Sequence, residues 1–220
     1  MSGYVDICNM ALMRIGTSQT IASLDEGSTQ AKVCSVWYQA VRDRILRSYP
    51  WRFAERRVSL AQSTDAAPTN WKQVYQVPSD CLKVRSIVVP GTRQPRVSQK
   101  IPFQLANDGT GMVIYCDLPT VEMIYTAQIT DATLFDPLFV SAYAALLASE
   151  ICLPLSVAPA VAAQARQMFT IEIANAAAMA MSEGFDGPEP ESEFTAVRNF
   201  PDMVQGYNPW AAYPGGYFVG

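Results

Sequence analysis

The chain has 220 residues, half of them hydrophobic and only 16% charged, and its formal net charge is −4. This length is enough for one or two domains with a sizeable core. No histidine is present, which excludes Ser-His-Asp and Cys-His catalysis and most zinc or non-haem iron sites. The five cysteines stand far apart, so we interpret them as core residues of a protein from a reducing compartment.

Charge is divided unevenly along the sequence. Residues 1–100 hold fourteen basic and seven acidic side chains, whereas residues 101–220 hold two basic and thirteen acidic ones. Opposite charge on the two halves suits head-to-tail packing of identical subunits or a passage lined by one sign of charge, although ordinary solvated charge explains it equally well. The low charged fraction leaves a monomer with much neutral or apolar surface, which favours an oligomer.

Helical periodicity predicts a pair of helices at the start of the chain. The first covers residues 4–15 and stops at Gly16, and the second begins near Ser28 and ends before Pro50. Polar positions of the second helix, among them Arg42, are expected to face away from its apolar side. Together the two helices are predicted to form an αα-hairpin.

Two further helices are predicted nearer the end of the chain. Residues 137–152 begin with proline at the first helical position, and residues 159–183 are rich in alanine and methionine with few charges on any face. We expect this last helix to be buried on most sides, other subunits included. The longest uncharged apolar run, residues 138–149, is shorter than the roughly 20 residues of a membrane span, and no secretory signal opens the sequence, so a soluble protein without a membrane partner is expected.

Between the helix pairs the sequence changes to the alternating pattern of β-strands. Strands are predicted at residues 71–77, 82–89, 112–116 and 121–127, and a weaker, proline-interrupted one within residues 92–106. Turn signals separate these segments, which predicts a small and mostly antiparallel β unit.

These elements predict an α+β protein with a four-helix layer made from both chain ends. Residues 1–50 and 130–183 form the helical domain, residues 51–129 form a β-rich domain inserted between the second and third helices, and residues 184–220 form an extended C-terminal arm. Aromatic side chains on an extended segment favour docking on a partner over plain disorder. The candidate docking residues of the arm are Tyr207, Trp210, Tyr213, Tyr217 and Phe218.

The sequence contains no pattern for a phosphate-binding loop, a serine-hydrolase elbow, a zinc protease or an EF-hand. We therefore predict no catalytic, cofactor-binding or metal-binding residues. Acidic residues cluster at 131–136, beside a helix N-terminus that favours carboxylates, and at 183–193, which we interpret as a solvated linker. A hydrolase that uses an Asp/Glu pair stays open, because the sequence does not show where carboxylates meet in space.

Six arginines fall between Arg42 and Arg57, among several aromatic residues. One interpretation is DNA binding, with arginines on phosphates and aromatic rings on bases. The other is pairing with the acidic half of a neighbouring subunit, which we favour because helical spacing spreads the first three arginines around the helix and the chain is acidic overall. The candidate subunit-interface residues are Arg42, Arg44, Arg47, Arg56, Arg57, Met168 and Met179.

The first 85 residues also carry a set of motifs in a fixed order. These are Asn9-x-Ala11-Leu12-x-x-Ile15-Gly16, Ala31 and Cys34, Arg42, Leu46-Arg47, Pro50-Trp51-x-Phe53-Ala54, and Tyr75-x-x-Pro78-x-Asp80-Cys81-Leu82-x-Val84. They resemble the head-to-tail adaptor (connector) proteins of tailed bacteriophages, in particular the tail tubular protein A group of short-tailed phages. The order of elements extends the resemblance to about residue 183. Each motif also has a folding role, so no catalytic residue is carried over.

The resemblance implies a structural virion protein and not an enzyme. Such adaptors form a homo-oligomeric, dodecameric ring in the neck of the virion, after synthesis in the host cytoplasm. The ring binds the portal protein above and the tail nozzle or tail tube protein below, and double-stranded DNA passes through its channel during genome ejection. The alternatives are a virion-associated cell-wall hydrolase and a DNA-binding packaging accessory protein.

Overall fold

The computed structural model describes residues 3–63, 67–92, 100–109 and 111–182. Within this part, helices lie at both ends and strands between them, so the predicted α+β class is confirmed. The helices are α1 (Tyr4–Arg14), α2 (Thr29–Ser48), α3 (Pro137–Ile151) and α4 (Pro159–Ser182). The strands are β1 (Glu55–Ser59), β2 (Gln73–Gln76), β3 (Cys81–Val88), β4 (Gln104–Asn107), β5 (Met112–Cys116) and β6 (Glu122–Ala127). The predicted C-terminal arm, residues 184–220, lies outside the described residues.

Helices α2 and α3 begin where capping side chains satisfy free backbone amides. The Ser28 hydroxyl accepts the Ala31 amide at 3.2 Å at the start of α2. At the start of α3, the Asp136 carboxylate accepts the amides of Leu138 and Phe139 at 2.8 and 3.2 Å, while Pro137 occupies a position that needs no donor. These local signals explain why the predicted helix starts agree with the observed ones.

Gly16 ends the first helical segment in a left-handed conformation, with φ of +81°. We expect Gly16→Ala to lower the free energy of unfolding by about 1 kcal/mol, because a side chain disfavours this backbone conformation. No atom lies within 4 Å of the added Cβ, so the effect comes from the backbone alone. Urea unfolding measures it, with Gly27→Ala as the control, since Gly27 has equally open surroundings without a positive φ. Equal effects at the two glycines would contradict this explanation.

The strands form two antiparallel three-stranded sheets. In the first, β6 lies between β1 and β3, and in the second, β5 lies between β2 and β4. The register between β3 and β6 shifts twice, between Cys81 and Lys83 and again between Val84 and Ser86. Such irregularities increase the local twist of a sheet. The predicted strand at 112–116 has the same bounds in the structure, whereas β1 was not predicted.

The helical layer and the first sheet share one hydrophobic core. Helix α3 packs along both α1 and α2, which touch each other over a much shorter stretch, so the predicted αα-hairpin is held together mainly by α3. Helix α2 also packs on β3 and β6. The described residues up to Met181 form one compact unit. All five cysteines are unbridged. Cys8, Cys34, Cys116 and Cys152 are buried, as the sequence predicts for core residues, whereas Cys81 is only partly buried against the same core.

Candidate interaction surfaces

The chain turns from α2 into β1 at a corner filled by aromatic rings. Trp51 is 1% exposed, and its indole N–H donates to the Ile45 carbonyl oxygen at 2.9 Å. Its ring centroid lies 5.1 Å from that of Phe139, edge to face. Aromatic pairs in this arrangement stabilise a core beyond the area that they bury. The Pro50-Trp51-x-Phe53 motif therefore joins the helical layer to the first sheet.

A partly buried arginine closes the same corner, and its local sequence pattern does not distinguish it from a surface arginine. The Arg85 guanidinium donates to the Thr126 hydroxyl at 2.9 Å, to the Glu55 carboxylate at 2.5 Å and to the Trp51 carbonyl oxygen at 2.7 Å. Burial lowers the pKa of Arg85, and the nearby Glu55 charge opposes that shift. Arg85 thus connects β3 with β1, with β6 and with Trp51 in the turn between α2 and β1.

Arg42 lies inside the chain, and the expectation that it faces away from the apolar side of α2 is wrong. Its side chain is buried, and its Nε atom donates to the Asp43 carboxylate at 2.8 Å. The second oxygen of Asp43 accepts the Gln128 amide at 2.7 Å. This pairing compensates the burial of the guanidinium, and nothing in the helical periodicity distinguishes such an arginine from a solvated one.

The other arginines of the candidate interface lie at the surface, and each has a partner within the chain. Arg44 pairs with Glu150 at 2.7 Å, Arg47 donates to the Leu82 carbonyl oxygen at 2.6 Å, Arg56 pairs with Asp80 at 2.7 Å, and Arg57 pairs with Glu122 at 3.5 Å. These contacts connect separate elements of the fold. The three ion pairs also offset positive charge that would otherwise be available to the phosphates of DNA. A role between subunits stays a prediction for these residues.

Helix α4 contacts the rest of the chain through one narrow side. Of its 24 residues, Ala165 and Ala176 are the buried ones. Polar contacts hold it along its length. Arg166 pairs with Glu150 at 3.2 Å, Glu172 accepts two hydrogen bonds from Arg14 at 2.9 Å, and the Ala180 carbonyl oxygen accepts from Arg52 at 3.3 Å. Within the described chain, α4 is therefore much less buried than its composition predicts.

One flank of α4 carries an apolar ridge, formed by Met168, Ile171 and Met179. These side chains are 40%, 63% and 54% exposed. At about 100° per residue, they fall within about 80° of one another around the helix. The sequence singled out the two methionines and missed Ile171, which projection onto a helical wheel would have grouped with them. Exposed apolar surface of this kind marks interaction sites in soluble proteins.

An open cavity lies beside the N-terminal half of α4, between α4, α2 and the end of α3. We call it the α2–α4 cavity. Its volume is about 530 Å³, within the range of ordinary binding clefts. Its lining is mostly apolar, with Glu150 and Arg166 as its charged members. The residues that line it are Trp37, Ser149, Glu150, Leu153, Pro154, Pro159, Ala162, Ala163 and Arg166.

Two tyrosines form a buried polar pair where α2 meets α3. The Tyr143 hydroxyl donates to the Tyr38 carbonyl oxygen at 2.5 Å, and the two ring centroids lie 5.2 Å apart. Tyr38's own hydroxyl is buried and has no hydrogen-bond partner of good geometry among the described residues. Burial raises the pKa of Tyr38 to about 12 and raises the pKa of Tyr143 as well.

These shifts predict a loss of stability at alkaline pH. Because the folded state keeps both tyrosines neutral while the unfolded chain ionises near pH 10, the contribution of this tyrosine pair to the free energy of unfolding is constant below about pH 10 and falls towards pH 12. Tyr38→Phe should reduce that slope by about 1.4 kcal/mol per pH unit. It should change stability at pH 7 by less than about 0.5 kcal/mol, since it removes an unpaired hydroxyl. Urea unfolding from pH 8 to 12 measures both, and an unchanged slope would contradict the assignment.

The described residues form neither a cluster of metal ligands nor a membrane-spanning helix. Across residues 3–63, 67–92, 100–109 and 111–182, no three or more Cys, Asp or Glu side chains come together as a metal site. None of the helices in these ranges is long and apolar enough to cross a membrane. The candidate docking residues of the arm, from Tyr207 to Phe218, lie outside the described part of the chain. The chain matches no protein-family model and no curated protein.

Proposed function

We propose that the chain is a structural virion protein that forms a ring adaptor between the portal and the tail of a tailed bacteriophage, with a central channel for DNA. The observation that carries this proposal is the apolar ridge on α4. The helix has only two charged residues, Arg166 and Glu172, and both pair with other parts of the same chain. A long exposed face without free charge favours contact with other proteins over solvation.

The positions of the adaptor-like motifs support the same proposal. Ala11, Leu12 and Ile15 are buried where α1 meets the core, and Trp51 fills the corner between the helical layer and the first sheet. The motifs thus belong to the framework of the fold. A protein whose shared residues build a scaffold fits a role in assembly better than one in chemistry.

The arginine contacts support passage of DNA over tight binding of DNA. Arg44, Arg56 and Arg57 each face an acidic partner in the chain. Protein affinity for DNA grows with the number of phosphates that cations neutralise. Arginines that are already paired within the chain add little to phosphate binding, which suits a protein through which a duplex has to slide.

Imaging of purified chain mixed with portal rings from the same genome tests the proposal. We expect a ring of added density on one face of the portal and a matching increase in native mass. A chain that leaves the portal rings unchanged would overturn it.

The same preparation separates the alternatives. Clearing of a cell-wall zymogram, lost on Asp or Glu to amide substitution, favours the hydrolase. Steeply salt-dependent duplex binding, weakened by Arg56→Gln and Arg57→Gln, favours the packaging accessory.

A further inference from the structure

The two sides of α4 carry different surfaces, and these surfaces point in opposite directions. The apolar ridge lies on one side, and its centre around the helix is near Met168. The wall that α4 gives to the α2–α4 cavity consists of Ala162, Ala163 and Arg166. At about 100° per residue, the centre of this wall is about 180° around the helix from the centre of the ridge. One helix thus presents a projecting surface on one side and a recess on the other.

We propose that the ridge of one copy inserts into the α2–α4 cavity of the next copy. This inference rests on the proposed function, because it names the contact through which copies of the chain associate. The occupant is a second copy because the ridge is present on the same chain as the recess, and the opposite directions of the two let each copy use both at once.

The chemistry of the two surfaces fits. The ridge residues Met168, Ile171 and Met179 bring apolar side chains without charge, and the cavity is lined by apolar groups such as Trp37 and Leu153. Methionine adapts to irregular gaps because its side chain is unbranched and flexible. An uncharged ridge also loses little solvation when it enters the cavity.

Positive charge at the cavity makes the fit selective. Arg44 and Arg166 share the single carboxylate of Glu150, at 2.7 and 3.2 Å, which leaves one positive charge in excess. A cation introduced on the ridge would meet that charge in a partly desolvated contact, whereas an anion would be attracted to it. The sign of a substitution at Ile171 is therefore expected to matter.

The symmetry of the assembly follows from the two unlike surfaces. A contact between a ridge and a recess is heterologous, so each added copy brings another ridge and another recess to the assembly. Such contacts build a ring where the rotation closes. The ridge extends over 12 residues of α4, from Met168 to Met179, and is roughly 18 Å long. A strip of this length, about 10 Å wide, covers about a quarter of the area that one partner contributes to a standard interface. Association through α4 is expected to depend on concentration.

Native mass spectrometry and sedimentation velocity of the full chain, up to its highest soluble concentration, test the contact. We expect wild type to form oligomers and Ile171→Lys to weaken association about tenfold or more, with Ile171→Glu weakening it less. Both changes lie at an exposed position, so thermal unfolding should be unaffected. Met112→Lys is the matched control, because Met112 is also exposed but lies on β5. It should associate like wild type.

A mixing experiment tests the ridge-to-recess geometry. Ala163→Phe fills the cavity and leaves the ridge intact, whereas Ile171→Lys impairs the ridge and leaves the cavity intact. Each variant alone should remain monomeric. Their mixture should give one-to-one heterodimers that grow no further, because a single complementary pair of surfaces remains. An interface that uses the same patch on both copies would give no such heterodimer.

The possible outcomes separate this inference from the proposed function. If Ile171→Lys associates like wild type, or if Lys and Glu weaken association equally, the ridge-to-recess contact is wrong and the adaptor role still stands on portal binding. A wild-type chain that stays monomeric at every concentration also overturns the contact. Wild-type oligomers that ignore portal rings would instead leave the contact standing and overturn the adaptor role.

Discussion

Trp51→Ala is expected to lower the free energy of unfolding by about 3–5 kcal/mol, the range for truncation of a fully buried large aromatic residue. Trp51 is buried, donates a hydrogen bond to the Ile45 carbonyl oxygen, and packs edge to face on Phe139. The truncation removes all of these contacts and leaves a cavity between the helical layer and the sheet. Urea unfolding followed by far-ultraviolet circular dichroism measures the change without reliance on tryptophan fluorescence.

Two further substitutions keep the Trp51 prediction testable even if the alanine variant does not fold. Trp51→Phe retains an aromatic ring but loses the N–H donor, so a decrease of about 1–3 kcal/mol is expected. Trp71→Ala is the matched control, because Trp71 is only partly buried and donates to the Gln104 side chain at 3.0 Å. A larger effect at Trp71 than at Trp51 would show that the corner is not a main contributor to stability.

Arg85→Met is expected to lower the free energy of unfolding by about 2–3 kcal/mol, because it removes charge-assisted hydrogen bonds from partly buried acceptors. The Trp51 carbonyl oxygen and the Thr126 hydroxyl each lose a donor, and Glu55 loses its ion pair. Methionine keeps much of the volume of the arginine side chain, so the loss of stability comes mainly from the missing hydrogen bonds and ion pair. Thermal and urea unfolding both measure it.

Arg56→Met provides the control for Arg85. Arg56 also pairs with a carboxylate, that of Asp80 at 2.7 Å, but its side chain is 54% exposed. Exposed ion pairs contribute about 0–1 kcal/mol, so a small change is expected. If the two variants lose equal stability, the burial of Arg85 is not what makes it important. A large loss of stability in Arg56→Met alone would show that Arg56, and not Arg85, is the arginine that stabilises the fold.

The sequence predicted the helices more accurately than the strand pairing, for a physical reason. Helix starts depend on neighbours within one turn, such as Ser28 and Ala31 at α2, and those are visible in the sequence. Strand β1 has the sequence ERRVS, which lacks apolar alternation because the strand is largely exposed and pairs on one edge with β6. Its existence depends on a partner more than 60 residues away, which no local pattern records.

Charge held wholly or partly away from solvent was equally hard to predict from the sequence. Arg42 and Arg85 look like ordinary surface arginines in their local patterns, yet both are compensated by partners that the fold supplies. Asp43, the partner of Arg42, is held by Gln128 from a distant part of the chain. Their roles follow from tertiary contacts, whereas the pattern of a helix or strand reports only on nearest neighbours.

The candidate surface could be predicted in part. The Ala/Met composition of residues 159–183 predicted a helix that meets other subunits. Met168 and Met179 are exposed on α4, and their contact with other subunits stays a prediction. Ile171 and the α2–α4 cavity were missed. The cavity requires Trp37, Leu153 and Ala163 to meet from three helices, and that meeting depends on how the helices pack.

The central place of α3 has a consequence for the order in which the chain folds during synthesis. Helices α1 and α2 leave the ribosome about 90 residues before α3, an interval of roughly 5–20 seconds at ordinary translation rates. Throughout it, the apolar sides of the first two helices lack their main covering element. All six described strands emerge in the same interval and can pair among themselves. We therefore expect the helical layer to assemble last, when α3 packs on α1 and α2. Contacts between residues this far apart in sequence form slowly.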